Sequence, residues 1–410
     1  MTNDRRSGRL RVPEPSSRPG DPVEFGDLAL SPAGAVARPD IDAPEPCLRD
    51  LPFLLIRTLD DAGNVVGGWL PDLADGDLIR ALKAMVLTRA FDERMFKIQR
   101  QGKTSFYMKS RGEEALGAVP SLALRQGDMC FPTYRLVSWL MARDYPLEDL
   151  VNQIFSNAQD PLKGRQLPIL YSARDYGFYS LSGNVGSRFG HAVGWAMAKA
   201  YRGIDDIAIG YIGEGTTAEG DFHEALTFAS VYRAPVVLCV TNNQWAISTF
   251  SGIAGAQETT FAAKAIAYGI PGLRVDGNDV LAVWAATQWA AARARSGLGA
   301  TLIEFFTYRA EGHSTSDDPG KYRPSDEASK WPLGDPVERL KQHLIALGEW
   351  DDSRHAALEE SVAEAVRAAV KQGEAVGTLG QSKPSVKEMF EGVFKEPDWR
   401  VLEQRGEVGI

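Results

Sequence analysis

Two short segments of this 410-residue chain carry side chains suited to metal and phosphate chemistry: Ile212-Gly-Glu-Gly-Thr-Thr-Ala-Glu-Gly-Asp221 and Thr241-Asn-Asn-Gln-Trp-Ala-Ile-Ser248. Each follows an apolar run rich in β-branched residues, so each reads as the turn leaving a strand. In an open α/β sheet such turns lie at the carboxyl edge of the strands, where ligands bind. Glycines let the backbone approach a phosphate group, and a following helix N-terminus favours its negative charge. Glu214 offers a hard anionic oxygen and Asn243 an amide oxygen. Mg²⁺ takes a few oxygens of this kind from protein and the rest from phosphates and water. Together the two turns read as a Mg²⁺–diphosphate clamp built on Gly213, Glu214, Gly215 and Asn243. A lone Gly-acid-Gly turn is more often merely structural; the Asn-Asn pair leaving the next strand shifts the balance to function.

The elements that must position these turns alternate. Asp206–Ile212 and Pro235–Val240 read as buried strands with a helical stretch between them. A helix follows around Phe261–Tyr268, then a strand at Gly272–Val275, a helix opening near Asp279 and a strand at Thr301–Tyr308. Strands alternating with helices predict a doubly wound, mostly parallel sheet covered on both faces, an α/β fold. Before it, Leu78, Leu82, Met85 and Val86 share one face of a helix from Asp77 to Gln101, which Gly102 stops. The expected organisation is an extended arm over residues 1–50, an α/β domain over 51–345 and a helical extension over 346–410. The arm is Pro-, Gly- and Ser-rich, as in Val12-Pro-Glu-Pro-Ser-Ser-Arg-Pro-Gly-Asp-Pro22, has no core of its own, and is available to wrap a neighbouring subunit. Gly186, Gly190, Gly194 and Ala198 form a small-residue stripe that permits close approach of a helix, within the chain or from a partner.

Composition narrows the function. A formal charge of −9 argues against a nucleic-acid binder or a polybasic membrane anchor. No apolar stretch approaches the ~20 residues that span a bilayer. Cys47, Cys130 and Cys239 form no Cys-x-x-Cys or Cys/His cluster, which suits a reducing compartment. Arg5, Arg6, Arg9 and Arg11 precede no apolar segment, and Asp4 and Glu14 weaken a transit-peptide reading, so a cytoplasmic location is expected.

From Leu78 to Leu347 the chain resembles the alpha subunit of the thiamine-diphosphate-dependent 2-oxoacid dehydrogenases, most closely the branched-chain (2-oxoisovalerate) type. The resemblance is carried by the clamp and by Ser105-Phe-Tyr-Met-Lys-Ser-Arg-Gly-Glu-Glu114, Thr133-Tyr-Arg135, Lys163-Gly-Arg-Gln166 and Gly312-His-Ser-Thr-Ser-Asp-Asp318. It implies thiamine diphosphate and Mg²⁺ as cofactors. Glu214, Asn243 and the Trp245 carbonyl would hold the metal, and Tyr134 and Arg135 would contact the diphosphate, Arg through its planar fork of donors. Ser182 and Val185 would line the thiazolium side, and His313 would contact the cofactor or act catalytically near the reacting carbon. The implied reaction is oxidative decarboxylation of a branched-chain 2-oxoacid, with reductive acylation of a lipoyl group on a separate acyltransferase. The implied partner is a beta subunit, in an α2β2 heterotetramer. The sequence also departs from the family: Thr241 stands in place of an arginine, Thr133 in place of a glutamine, and Arg188 where animal relatives help hold a potassium ion.

The runner-up is the pyruvate or acetoin dehydrogenase alpha subunit, because an apolar pocket separates acyl chains by only ~1–3 kcal/mol per methylene. A nicotinamide dehydrogenase would need Gly-x-Gly-x-x-Gly at a strand–helix junction, which Gly213–Ala218 does not complete. A non-catalytic homologue need not keep Glu214, Asn243, Arg135 and His313 together. The polar loop from Glu311 to Arg323 is expected to be mobile without cofactor and to order when it binds, since it lacks apolar residues to pin it.

Overall fold

A computed structural model describes residues 12–410 except 27, 256–257, 380, 382–384 and 393, so the arginines at the start of the chain lie outside the described residues. The strands are β1 (Leu55–Ile56), β2 (Met129–Phe131), β3 (Ala208–Gly213), β4 (Val236–Asn242), β5 (Trp245–Ala246), β6 (Thr249–Phe250), β7 (Gly272–Asp276) and β8 (Thr301–Phe306). The helices before β3 are α1 (Glu45–Leu48), α2 (Asp77–Arg100), α3 (Glu114–Ala123), α4 (Val137–Ala142), α5 (Leu147–Phe155) and α6 (Ser187–Tyr201). Those after it are α7 (Gly220–Val231), α8 (Val280–Arg295), α9 (Pro336–Ala346), α10 (Asp352–Val376) and α11 (Trp399–Glu407).

Six strands form one parallel sheet in the order β1-β7-β8-β4-β3-β2, and β5 and β6 form a separate antiparallel pair. One face of the sheet is covered by α3 and α8, with α2, α4, α5 and α10 packed outside them in the same core. The other face is covered by α6, α7 and the short helical turn Ala262–Tyr268. Strands buried on both faces read as continuous apolar runs, which is why β3, β4 and β8 are legible from sequence.

Local signals set most helix ends. Lys103 N–H bonds back to Ile98 O beside Gly102, which has φ +73° and ends α2 in the left-handed conformation. Asp279 caps α8 by accepting from Ala282 N, and Asp335 caps α9 by accepting from Val337 N and Glu338 N. The stretch around Phe261–Tyr268, expected as a helix, is a tighter 3-10 turn from Ala262 to Tyr268. The two edge strands β1 and β2 escaped the sequence reading because each is only two or three residues long.

The described part of the arm lies on its own α/β domain rather than reaching away from it. Arg274 Nη1 donates to Ala29 O, Trp289 Nε1 to Pro39 O and Arg293 Nη1 to Ile41 O, and Phe25 packs edge-on against Trp331. A Pro-rich segment leaves backbone carbonyls unpaired, and these side chains satisfy them. Toward the other end, Val366, Ala369 and Val370 of α10 are buried in the same core as α2 and α5, whereas α11 buries no residue. The small-residue stripe divides in two. A Cβ on Gly186 would meet Asp221 at 2.7 Å, while Gly190 and Gly194 have nothing within 4 Å and face outward. No helix among the described residues is long and apolar enough to cross a membrane.

Candidate cofactor and metal site

The parallel register brings the two chemical turns together. Gly213 at the end of β3 pairs with Thr241 in β4, and Asn242 at the end of β4 pairs with Phe306 at the end of β8. Glu214, Asn243 and the segment leading to His313 therefore emerge side by side at the carboxyl edge. Tyr134, Arg135, Val185, Gly213, Glu214, Gly215, Asn243, Trp245 and His313 all line one cavity of about 420 Å³ there. Residues spread over 180 positions of sequence thus share one space. Ser182 is not among the lining residues; its carbonyl accepts from Arg188 Nη2 at 2.7 Å and its hydroxyl from Asn184 N–H.

Glu214 is the most telling of these. It is 1% exposed, and its buried Oε1 has no hydrogen-bond partner among the described residues. Burial pushes its carboxyl up to about 7, the nearby Glu113 carboxylate adds to this, and Arg309 opposes it. An orphaned anionic oxygen is costly unless a cation or donor meets it. No cluster of three or more His, Cys, Asp or Glu side chains among the described residues could hold a metal ion by itself. A divalent ion at Glu214 would need amide, carbonyl and phosphate oxygens as well, which is the donor set of a Mg²⁺–diphosphate site. The residues fit that group.

Asn243 donates from Nδ2 to Glu113 Oε1 at 2.8 Å, and its Oδ1 accepts from Trp245 N–H at 3.3 Å. The Trp245 carbonyl accepts from Arg309 Nη1 at 2.7 Å, leaving one lone pair for a further partner. Gln244 holds a positive φ of +74°, unusual for a residue with a side chain, and its Nε2 bonds to Asn242 O, Asn242 Oδ1 and Thr307 O. These bonds fix the turn that presents Asn243 and Trp245.

Arg135 is buried. Its Nη1 donates to Lys109 O at 2.5 Å, its Nη2 to His313 O at 2.7 Å, and its Nη2 also lies 3.2 Å from His313 Nδ1. A guanidinium cannot accept a hydrogen bond, so Nδ1 is the acceptor and the imidazole proton sits on Nε2. Burial, then Arg135 and Arg309, push the His313 pKa down to about 3. Both effects favour the neutral ring with its proton on Nε2.

The Glu311–Arg323 loop, polar as its sequence shows, makes polar contacts with its surroundings. Asp317 accepts from His313 N–H at 2.6 Å and Tyr322 Oη–H at 2.7 Å. Arg323, buried, donates to Arg309 O and Glu311 O. Gly112 lets the 105–114 segment pass close to the backbone just before this loop, since a Cβ there would lie 2.1 Å from Tyr308 O.

Sequence reasoning missed two residues. Glu113 is buried between Asn243 and Arg135, whose Nε is 3.5 Å from it, and burial raises its carboxyl pKa. Arg309, 1% exposed, binds the Trp245 and Ile247 carbonyls and the Tyr322 hydroxyl. The adjacent acids in Gly112-Glu113-Glu114 were the available signal for the first; nothing local marked the second.

The chain matches two family models: dehydrogenase E1 component over residues 82–381, and 2-oxoisovalerate dehydrogenase E1 alpha subunit N terminal over residues 7–46. It is 54% identical to the 2-oxoisovalerate dehydrogenase subunit alpha of Pseudomonas aeruginosa, over 98% of each chain. It is 36% identical to the mouse mitochondrial 2-oxoisovalerate dehydrogenase subunit alpha, over 83% of this chain and 76% of that one. A pyruvate dehydrogenase E1 component subunit alpha of Staphylococcus epidermidis is also 36% identical, over 86% of this chain and 92% of its own.

Proposed function

We propose that this chain, which belongs to the dehydrogenase E1 component family, is the alpha subunit of a thiamine-diphosphate-dependent branched-chain 2-oxoacid dehydrogenase, acting on substrates such as 2-oxoisovalerate. The observation that carries the reading is the orphaned Glu214 carboxylate, set beside Asn243 in a cavity that also holds Tyr134, Arg135 and His313. Glu214 and Asn243, with the Trp245 carbonyl, would hold Mg²⁺. Tyr134 and Arg135 would meet the diphosphate, and Val185 would lie along the thiazolium. Bound there, thiamine diphosphate supplies a nucleophilic carbon and an electron sink for loss of CO₂ from a 2-oxoacid.

The chain's own contribution is positioning and proton placement. Arg135 orients the His313 ring, and His313 presents an Nε2–H donor toward the cavity. Trp245, Ile247, Phe250 and Ile253 give the cavity an apolar wall. A beta subunit would complete the site in an α2β2 assembly, and the acyl group would pass to the lipoyl group of an acyltransferase.

The similarity to the pyruvate-acting relative keeps that substrate as the competing reading; the match of residues 7–46 to the 2-oxoisovalerate model favours the branched-chain one. The test is to co-purify the chain with its beta subunit and assay a panel of 2-oxoacids with thiamine diphosphate and Mg²⁺. Higher kcat/KM for 2-oxoisovalerate than for pyruvate is expected; preference for pyruvate would reverse the subtype. Calorimetry with thiamine diphosphate, with and without Mg²⁺, tests the cofactor directly.

A further inference from the structure

The first turn of α6 breaks a helix rule. Helix N-termini carry partial positive charge and favour acidic side chains or bound anions. The first turn of α6 has no acid, and Gly186 gives it no side-chain cap. It places Arg188 there instead, 4% exposed. Other buried arginines around the site sit near a carboxylate: Arg135 is 3.5 Å from Glu113, and Arg309 is 3.9 Å from Asp317. Arg188 forms no ion pair among the described residues. Its Nη1 donates to Val185 O at 3.0 Å and its Nη2 to Ser182 O at 2.7 Å, while its buried Nε has no partner among the described residues. Arg188 and Val185 line the same cavity as Tyr134, Arg135 and Glu214.

Two features of this arrangement need an explanation. A buried guanidinium without a carboxylate is expensive, and the cost falls at a helix end whose dipole adds to it. Conflicts of this kind with local rules concentrate at functional sites. The two carbonyls it holds also bracket the segment that brings Val185, itself 38% exposed, into the cavity wall. Ser187 adds one more tie, donating from Oγ to Asn184 O at 3.0 Å.

We propose that Arg188 is a positioning residue: its guanidinium straps the Ser182–Val185 segment onto the start of α6, and its charge finds its counter-charge in the anionic cofactor rather than in the chain. The second half of this rests on the cavity being the thiamine-diphosphate site; the first half does not. A lysine would keep the charge but could not bridge two carbonyls with a planar fork.

The test uses the full chain co-purified with its beta subunit, as wild type, Arg188→Lys and Arg188→Ala. Hydrogen exchange over residues 182–188 without cofactor reads the strap. Calorimetry with inorganic pyrophosphate and with thiamine diphosphate, each with Mg²⁺, reads the charge and the positioning. Arg188→Ala should speed exchange and weaken both ligands, thiamine diphosphate by about tenfold or more, as loss of a group that orients a site does. Millimolar guanidinium chloride should restore much of the loss. Arg188→Lys should bind pyrophosphate nearly as wild type while losing affinity for thiamine diphosphate, and it carries the test if the alanine variant does not fold. Unchanged exchange and unchanged affinities in both variants would overturn the proposal. If wild type bound no thiamine diphosphate but Arg188→Ala still loosened the segment, the strap would stand and the cofactor reading would fall.

Discussion

Glu113 and Asn243 lie 130 positions apart in the chain, yet the Asn243 Nδ2 donates to the Glu113 Oε1 at 2.8 Å in the buried wall of the cavity. The bond settles which end of the Asn243 amide is nitrogen and which is oxygen, and so which atom remains to serve a metal. Partners that orient a ligand in this way often cost as much when removed as the ligands do.

Glu113→Leu should therefore weaken Mg²⁺-supported cofactor binding by about 10- to 100-fold. Glu113→Gln should lose less, because its amide oxygen can still accept from Asn243 while its nitrogen faces Arg135 unfavourably. Titration with Mn²⁺, followed by its electron paramagnetic resonance signal, measures this without turnover. Equal metal affinity in wild type and Glu113→Leu would show that Asn243 orients itself.

Glu214 should show opposite effects on stability and binding. Glu214→Gln removes an uncompensated buried charge, so the metal-free protein is expected to gain about 1 kcal/mol at pH 8. The same change should abolish the dependence of cofactor affinity on Mg²⁺. Thermal unfolding and calorimetry on one preparation report both, and a variant that still needs Mg²⁺ would remove Glu214 from the metal site.

His313 should act as a neutral donor. His313→Ala is expected to lower turnover by about a hundredfold or more, with a smaller loss of cofactor affinity. Because burial and the two arginines push its pKa down to about 3, folding should favour its neutral form. This residue then costs stability as pH falls below its ordinary pKa of 6.5, and contributes no titration near neutrality. An imidazole ¹⁵N signal that titrates near pH 6.5 in the cofactor-free protein would contradict this lowered pKa.

Asp92 should make stability fall with rising pH. It accepts from the Tyr107 hydroxyl and the Ser110 N–H, both at 2.6 Å, and burial raises its carboxyl pKa from 3.8 to about 7. The folded chain thus keeps a proton that the unfolded chain releases between those values. The stability this provides is complete below pH 3.8 and lost as pH rises through about 7, on the order of 4 kcal/mol in all. Asp92→Asn should flatten that slope in a series of thermal melts. A slope unchanged by the substitution would place its source elsewhere.

The chain by itself should be folded but silent in catalysis. Its sheet builds one set of strand ends around the cavity, and the exposed Gly190 and Gly194 face of α6 has no covering among the described residues. Expression alone, followed by an assay with thiamine diphosphate, Mg²⁺, 2-oxoisovalerate and an artificial electron acceptor, should give no sustained turnover. Activity restored by adding the beta subunit completes the test; turnover without it would refute the split site.

Whatever depends on neighbours along the chain was legible in the residues. The apolar runs that became β3, β4 and β8, the Asp279 cap and the Gly102 stop are local choices, set by sterics, burial on two faces and capping. The Glu214 and Asn243 turns were legible too, because leaving consecutive strands of a parallel sheet places them at one edge. The strands β1 and β2 were not, since strands of two or three residues have no periodicity to read and exist only because a longer neighbour supplies their hydrogen bonds. Other properties belong to the folded chain alone. Glu113 became a partner of Asn243, and Arg309 of the Trp245 carbonyl, only when distant segments met. The acidity of Glu214 and the tautomer of His313 follow from desolvation and from buried arginines, and both depend on distances that no spacing in the sequence encodes. Sequence alone determined which groups would stand at the sheet edge, because the strand–helix alternation and turn chemistry are set by neighbours along the chain. Tertiary structure decided their charge and orientation, because electrostatics in a buried site sums over everything packed around it.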